Sequence, residues 1–263
     1  ILNSIEGHDQ KFQKTLKETK SVLAVFGSLV PTKGTYDRKG KARIFAKGGN
    51  VKNFVYNYKY SLGSIPILEK NSKGLGSINY ITQNDAVVRS LPLIMLFNEK
   101  LFPTFGLEMI RVGEKKRSII TNLNDNGIKN ISIKPYEFKT DKNSLIWVKY
   151  NRSINNNYIS AEKVFDKNFD DNFFKDKYVL IGASAKGLFD TVKIPTGETV
   201  PGVQVHANVI DNLLNNSFLK RNDGIFVFEL LLSIIISIAA FIISQRIKPK
   251  YSLSIIFAGL III

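Results

Sequence analysis

The sequence contains no cysteine and only two histidines among its 263 residues. The absence of cysteine excludes disulfide bonds, cysteine-ligated zinc, iron–sulfur clusters and thiol catalysis. His8 and His206 are too few to form a histidine cluster for a metal ion. We therefore expect no metal ion, no redox centre and no cofactor.

Acidic residues are scarce relative to basic ones, with 22 Asp+Glu against 37 Lys+Arg and a net charge of +15. Such a charge raises nucleic acid or an anionic membrane as partners. The lysines are scattered, and no RRM, zinc-finger or aromatic-basic module accompanies them, so we expect no nucleic-acid partner. The mean hydropathy of −0.02 is high for so charged a chain, which indicates that apolar residues are concentrated in one region.

That region is the C-terminal part of the chain. Residues 225–244 read IFVFELLLSIIISIAAFIIS, with Glu229 as the only charge. At about 1.5 Å per residue, a helix of this length covers the roughly 30 Å hydrocarbon core, so we predict a transmembrane helix. The apolar run 251–263 predicts the start of a second span. Glu229 is then an interfacial or bundle contact, or part of a polar pair that transmits movement between helices.

The connector between the two runs, residues 245–250, carries three cations: Arg246, Lys248 and Lys250. Short Lys/Arg-rich loops remain cytoplasmic, whereas long domains translocate largely regardless of charge. We therefore expect the connector in the cytoplasm and residues 1–223 outside, although those residues carry a net charge of +13. The chain starts at Ile1 without a signal peptide and stops within the second run. We expect a truncated sensor domain followed by a first span and part of a second.

Residues 1–223 alternate helical and strand patterns, which predicts an α/β fold with a mixed β-sheet and flanking helices. The predicted helices cover residues 8–20, 66–72, 103–111 and 203–215. The predicted strands cover residues 21–29, 76–81, 87–97, 131–133, 145–150 and 177–182. The run KYVLIG at 177–182 is the strongest strand prediction, because it is continuously apolar and ends in glycine. Turn residues at 83–85 predict a hairpin between the strands on either side.

Residues 177–221 read KYVLIGASAKGLFDTVKIPTGETVPGVQVHANVIDNLLNNSFLKR. This stretch resembles the signature of the CHASE type 2 sensory domain, in which a strand ending in IGxSAxGLxD precedes a Thr/Pro loop and PGVxxHANxIDxLL. Residues 76–92 (GSINYITQNDAVVRSLP) resemble the G-x-x-N segment, acidic turn and V-V-R strand of the same family. Ala86 stands where the family has glycine, which argues against a positive φ at this turn.

The resemblance implies a signal-sensing input domain of a receptor in a bacterial inner membrane, with residues 1–223 on the periplasmic or extracellular side. It implies a homodimer and a cytoplasmic effector, commonly a class III adenylate/guanylate cyclase, a Ser/Thr kinase or a histidine kinase. None of the catalytic residues of these effectors is present in this chain, so we expect no catalytic residue here. The expected stimulus is a small molecule or a component of the cell envelope.

The candidate ligand-binding or signalling residues lie in two segments. Asp85 and Arg89 flank the predicted hairpin turn, where they can form a local ion pair or face a ligand. The second segment contributes Gly182, Ser184, Asp190, His206, Asn208 and Asp211.

These residues also have structural interpretations. Gly182 permits close backbone packing or belongs to an anion-binding nest. His206 is a packing residue or a group sensing protonation near neutral pH. Asn208 and Asp211 cap or tether the loop before the helix.

Two alternatives to a sensor remain open at this point. Ser184, Asp190 and His206 follow the chain order of a hydrolase triad, so a membrane-tethered serine hydrolase is one alternative. Lys186 occupies the place of the second glycine in G-x-S-x-G, which disfavours a nucleophile elbow. The other alternative is an anionic-ligand binding module that uses the basic surface.

Overall fold

A computed structural model describes residues 7–82, 84–151, 157–184, 190–220 and 223–246. The chain divides into two units, Ile1–Leu219 and Lys220–Ile263. The first unit is a mixed α/β structure with several small sheets and flanking helices, as the sequence predicts. The described part of the second unit is one helix.

The helices and strands are numbered in chain order. The helices are α1 (His8–Glu18), α2 (Pro66–Asn71), α3 (Phe105–Gly113), α4 (Ala161–Val164), α5 (Gly202–Leu214) and α6 (Asp223–Arg246). The first strands are β1 (Val22–Ser28), β2 (Arg43–Lys47), β3 (Asn57–Tyr58), β4 (Tyr60–Gly63), β5 (Gly74–Ser77), β6 (Ile81–Thr82), β7 (Val88–Pro92) and β8 (Ile94–Phe97). The others are β9 (Lys100–Pro103), β10 (Ser118–Asn124), β11 (Gly127–Ile133), β12 (Tyr136–Lys139), β13 (Leu145–Trp147), β14 (Thr191–Lys193) and β15 (Thr199–Pro201).

The strands form small sheets with both parallel and antiparallel pairs. Strand β1 lies between β4 (antiparallel) and β5 (parallel), and β2 pairs in parallel with β10 at the edge of the β12–β11–β10 meander. The remaining sheets have the orders β13-β7-β6, β3-β8-β9 and β14-β15. Helices α3 and α5 pack against each other, and their apolar faces close the largest core cluster.

Two glycines of β5 allow α3 to approach the strand closely. A Cβ atom at Gly76 would lie 2.5 Å from Phe105 Cα, and one at Gly74 would lie 2.7 Å from the Glu108 side chain. Glu108 is fully buried there, and its carboxylate accepts hydrogen bonds of 2.7 and 2.6 Å from Arg111. Burial raises the pKa of Glu108, and the Arg111 guanidinium opposes that rise. The glycines of β5 therefore decide how α3 is placed.

The prediction of a strand at 177–182 is wrong. The described structure shows no secondary structure and no strand partner for this segment, and Ile181 is 98% exposed. An apolar run becomes a strand only where it pairs with another strand, and the described part of the chain gives this segment no such partner. The segment instead contacts helices, since a Cβ atom at Gly182 would lie 2.6 Å from Val203 Cβ.

Other element boundaries differ from the sequence predictions. The strand predicted at 87–97 is two strands, β7 and β8, which belong to different sheets and are separated at Leu93, whose N–H donates to Ser144 O at 2.8 Å. The strand predicted at 76–81 is likewise divided between β5 and β6. The helix predicted from Pro103 starts at Phe105, because Pro103 ends β9 and Thr104 is the N-cap residue.

The predicted hairpin is confirmed, since β6 pairs with β7 in antiparallel fashion. The expectation that Ala86 would avoid a positive φ is wrong, because its φ is 59°. A non-glycine residue tolerates this left-handed conformation at a modest cost when the surrounding contacts require it. The tight turn is therefore retained without glycine.

In the second unit, the apolar run predicted as a helix is α6, and many of its described side chains are exposed, including Phe228 and Ile235. Within the described part of the chain, no helix meets the length and apolarity required to cross a membrane. The expected membrane span is therefore unconfirmed. Lys248, Lys250 and the predicted second span lie outside the described residues.

The contact between β5 and α3 yields a prediction for Gly76→Ala. The added Cβ atom would overlap the backbone of Phe105, which cannot rotate away, so we expect a loss of about 1–3 kcal/mol in the free energy of unfolding. Urea denaturation measures this loss. Gly49→Ala is the matched control, because its nearest contact would be an ordinary 3.8 Å. Equal stability of the two variants would contradict the close packing described here.

Candidate functional site

Helix α5 is positioned by an apolar face and by its N-terminal glycine. Val205, Val209 and Leu213 recur every four residues and are fully buried in the main core. At the start of the helix, the Gly202 N–H donates to Asp190 O at 3.0 Å. A Cβ atom at Gly202 would lie 2.5 Å from the Asp190 carboxylate, so glycine permits this approach. The helix therefore begins directly beside β14.

Two asparagines of α5 bind the chain that follows β13. Asn212 Oδ1 accepts from the Lys149 N–H at 2.7 Å, and its Nδ2 donates to Lys149 O at 2.9 Å. One turn earlier, Asn208 Oδ1 accepts from the Asn151 N–H at 2.8 Å, and its Nδ2 donates to Gln204 O at 2.9 Å. The amides thus hold an extended segment against the helix in the way that a neighbouring strand would.

A small polar cavity lies between this segment, the β14–β15 hairpin and the first turns of α5. Its volume is about 10 Å³, and its lining residues are Tyr150, Asn151, Ile194, Thr196, Glu198, Gln204 and Asn208. This volume admits about one water molecule. An organic ligand therefore requires the hairpin or the segment to move.

The hairpin turn of β6 and β7 carries the Asp85–Arg89 pair. Arg89 donates to both carboxylate oxygens of Asp85, at 3.0 and 2.6 Å, and the Val87 N–H donates to the same carboxylate at 3.1 Å. These hydrogen bonds, first that from Arg89, lower the pKa of Asp85 to about 2. The local pair expected from the sequence is formed.

The hairpin turn and the cavity are connected. Val87 forms a parallel β-bridge with Lys193 of β14, which places the turn beside the β14–β15 hairpin. Tyr150 Oη donates to Val88 O at 2.8 Å, and burial raises the pKa of this phenol. Of the sequence-predicted candidates, Asn208 lines the cavity, whereas Asp85, Arg89 and Asp190 lie on segments joined to its walls.

The sequence matches the model of the CHASE2 domain over residues 2–244. The chain belongs to the CHASE2 domain family. CHASE2 domains are extracellular sensory domains, which fits a signal-sensing input domain. The resemblance seen in the sequence is thereby confirmed. No curated protein and no solved structure gives a significant match.

His206 of this CHASE2 domain points away from the cavity. It is 5% exposed, and its ring packs edge-on against Phe105 with the ring centroids 5.8 Å apart. Burial lowers the pKa of His206 to about 4, and a hydrogen bond to the backbone of Ile78 opposes that shift only in part. Nδ1 is buried with no hydrogen-bond partner among the described residues. These surroundings are those of a neutral packing residue.

The CHASE2 domain does not assemble the hydrolase triad. Ser184 and Asp190 are exposed, whereas His206 is buried, and none of the described contacts joins these three side chains. Residues 185–189, which include Lys186, lie outside the described residues. The described geometry therefore offers no support for a Ser184 nucleophile.

The remaining candidate residues do not line the cavity. Asp211 Oδ1 accepts from Asn215, the C-cap residue of α5, at 2.8 Å, so its described bond is at the end of the helix and not to the loop before it. Glu229 is an exposed residue of α6, and Arg246 is the last residue of that helix. Gly182 packs closely on α5, which agrees with the packing interpretation. Among the described residues, no group of His, Cys, Asp or Glu could hold a metal ion.

Sequence reasoning missed two asparagines that act on backbone. Asn212 could not be identified from the sequence, because an asparagine in an amphipathic helix does not indicate which distant backbone groups it will bind. Asn79 Oδ1 accepts from the Gly27 N–H at 2.6 Å, and its Nδ2 donates to Gly27 O at 2.9 Å. The G-x-x-N pattern of residues 76–79 pointed to Asn79, but it did not indicate that this side chain binds the backbone of Gly27.

The Asn212 contacts yield a prediction for Asn212→Leu. Leucine fills a similar volume but leaves the N–H and C=O of Lys149 without their partner, so we expect a loss of about 2 kcal/mol in the free energy of unfolding. Urea denaturation measures it. Asn215→Ala, at the exposed C-cap position of the same helix, removes only an exposed hydrogen bond to Asp211 and should change the stability by less than about 0.5 kcal/mol. A neutral Asn212→Leu variant would contradict the tethering role.

The buried imidazole yields a prediction for pH dependence. Between pH 6.5 and 4 the unfolded chain binds a proton at residue 206 that the folded domain excludes, so the domain loses stability as the pH falls. At about 1.4 kcal/mol per pH unit, this loss amounts to roughly 3 kcal/mol at pH 4. Urea denaturation at several pH values measures it.

The matched variants for this experiment are His206→Phe and His8→Ala. The first should flatten the pH dependence between pH 6.5 and 4, even if it lowers stability at pH 7. The second should retain the wild-type slope, because His8 is exposed at the start of α1. An unchanged slope in His206→Phe would refute a depressed pKa at this residue.

Proposed function

We propose that this CHASE2 domain is the extracytoplasmic input domain of a homodimeric membrane receptor in a bacterial inner membrane. Its effector would be a cytoplasmic class III nucleotide cyclase, a Ser/Thr kinase or a histidine kinase. The observation that carries the proposal is the match to a family of extracellular sensory domains over residues 2–244. The stimulus is a small molecule or an envelope component.

The site proposed for the stimulus is the cavity between α5, the segment at 149–151 and the β14–β15 hairpin. A ligand shifts a two-state equilibrium only if it binds one arrangement better than the other. The present arrangement has room for about one water molecule. A larger ligand must therefore bind an arrangement in which the hairpin lies farther from α5. A tenfold preference for that arrangement shifts the equilibrium by about 1.4 kcal/mol.

The hairpin is suited to a coupled movement. It is attached to the Asp85 turn through the Val87–Lys193 bridge and to the start of α5 through the Asp190–Gly202 hydrogen bond. Displacement of the hairpin therefore acts on both elements. Because α6 follows α5 along the chain, a shift of α5 is the proposed route of the signal toward the effector.

Membrane attachment is part of the proposal, and its support comes from the sequence. The apolar run at 225–244 has the composition of a span, and the cations Arg246, Lys248 and Lys250 favour a cytoplasmic connector. Residues 1–223 would then lie outside. Glu229 is the charged residue of the run, through which the helices of two subunits would interact.

The proposal is tested with a chimera in which the full chain is fused to a reporter adenylate cyclase. Cyclic AMP output is measured while the medium outside the cell is varied. Arg89→Ala removes the partner of Asp85, so we expect a change of severalfold in the response to the effective condition. Glu99→Ala removes the exposed Lys52–Glu99 ion pair at 3.4 Å and should leave the response unchanged.

Topology is checked in the same strain. A phosphatase fused after residue 222 should be active, and one fused after residue 250 should be inactive, because alkaline phosphatase folds only outside the cytoplasm. Reversed activities would refute the proposed orientation.

Equal responses of Arg89→Ala and the wild type, at equal expression, would refute a role of the Asp85 turn in signalling.

A further inference from the structure

A cluster of cations lies where the C-terminal ends of three helices meet. Lys20, just after α1, donates from Nζ to Gly113 O at the end of α3, at 3.1 Å. The Lys73 N–H, just after α2, donates to Ser21 O at 2.9 Å. The ends of α1, α2 and α3 are therefore neighbours.

The buried guanidinium of Arg111 ties more basic residues to the same place. Its Nη2 donates to Lys73 O at 3.1 Å, and its Nη1 donates to Lys116 O at 2.6 Å. Lys116 lies between Lys115 and Arg117 in the sequence. The Arg43 N–H donates to the backbone carbonyl oxygen of Arg117 at 3.2 Å. These backbone contacts place basic residues from distant segments of the chain near one another.

Lys41 extends this surface toward α2. Its Nζ donates to Lys70 O at 2.9 Å. The pKa of Lys41 is lowered first by burial and then by the nearby Lys73, with Glu69 opposing the shift. We define the basic cluster as Lys20, Lys41, Arg43, Lys70, Lys73, Lys115, Lys116 and Arg117.

Two buried carboxylates close to the basic cluster are already paired with arginines. Glu69 is paired with the buried Arg38 at 2.8 Å, and Glu108 is paired with Arg111 at 2.6 Å. Within the described part of the chain, no member of the basic cluster forms an ion pair. Its positive charges therefore repel one another. Glu69 offsets part of the charge of Lys41, and the exposed Glu18 and the half-buried Glu114 lie at the same helix ends.

The helix ends explain only part of this cluster. A lysine at a helix C-terminus gains about 0.3–1 kcal/mol from the helix dipole, and Lys20 and Lys41 also bond to terminal carbonyl groups. The other six side chains are exposed and bond to no helix end in the described structure. Because these positive charges lie close together, they repel one another and destabilise the folded domain. A polyanion bound there would relieve this repulsion.

The surroundings of the cluster favour an extended polymer over a small anion or a membrane. Helix C-termini present carbonyl oxygens, which do not bind a single anion. Membrane-surface sites combine Lys and Arg with a large apolar face. The described residues at 17–21, 69–73 and 113–118 present no exposed large apolar side chain, and the exposed ones closest in sequence to the cluster are Phe45 on β2 and Ile67 on α2. The basic side chains come from several helices and strands, so a ligand with charges repeated along its length could contact many of them at once.

We propose that the basic cluster binds a linear polymer with repeated anionic groups outside the cell membrane. The contact is made by lysine and arginine side chains and is largely electrostatic. Such binding is independent of the cavity at α5 and would bring the sensory domain to an anionic component of the envelope. The affinity should fall more than tenfold between 50 and 200 mM salt, because bound counterions are released from the polymer.

The experiment measures the binding of long-chain sodium polyphosphate to the full chain in a neutral detergent. The test variant replaces four exposed members of the cluster: Lys73→Gln, Lys115→Gln, Lys116→Gln and Arg117→Gln. The control variant removes the same charge from another exposed surface: Lys129→Gln, Lys134→Gln, Lys139→Gln and Lys142→Gln. We expect the test variant to lose at least tenfold in affinity and part of the salt dependence, and the control to stay within about threefold of the wild type.

Three results would overturn the proposal. Equal losses in the two variants would show that the net charge acts without a defined surface. Inorganic phosphate binding as tightly as polyphosphate would indicate a single-anion site. Tighter binding to micelles containing phosphatidylglycerol than to polyphosphate would assign the cluster to a lipid surface. Circular dichroism and urea midpoints confirm that both variants are folded, so a loss of binding is not a loss of structure.

Discussion

Buried backbone N–H and C=O groups require hydrogen-bond partners, and in this domain asparagine side chains supply them where strands do not pair. Asn208 and Asn212 bind the chain at 149–151, and Asn79 binds both polar groups of Gly27 at the end of β5. A carboxamide presents a donor and an acceptor side by side, as a peptide group does. These amides let short strands and helices share one core without a continuous sheet.

Close approach of α3 and α5 is the second requirement of the fold. Glycines in β5 and at Gly106 remove the Cβ atoms that would hold the elements apart, and the buried Glu108–Arg111 pair is accommodated beside them. Arg111 also binds the carbonyl groups of Lys73 and Lys116. A buried pair with its remaining hydrogen bonds satisfied specifies where elements meet more than it adds stability. In this domain it also determines which surface cations become neighbours.

Close packing of the elements also limits the size of the candidate site. The cavity beside α5 has a volume of about 10 Å³, and each of its walls is joined to another element by a hydrogen bond or a β-bridge. In the proposed function, a ligand would bind an arrangement in which these walls lie farther apart, since a ligand shifts an equilibrium only toward the arrangement that it prefers. The buried, neutral His206 lies on the opposite face of α5, in contact with α3. The helix thus separates a polar site from an apolar interface.

The sequence by itself determined the family, the mixed α/β class, the amphipathic helix α5, the hairpin and the Asp85–Arg89 pair, because each depends on residues close together in the chain. Tertiary structure decided the rest. The apolar run at 177–182 pairs with no described strand, and its Gly182 packs against Val203 of α5. The run at 87–97 divides between two sheets. The partners of Asn212 and the assembly of the basic cluster depend on which distant segments meet. Periodicity reports which side of a segment is buried, whereas its partner is set by long-range packing.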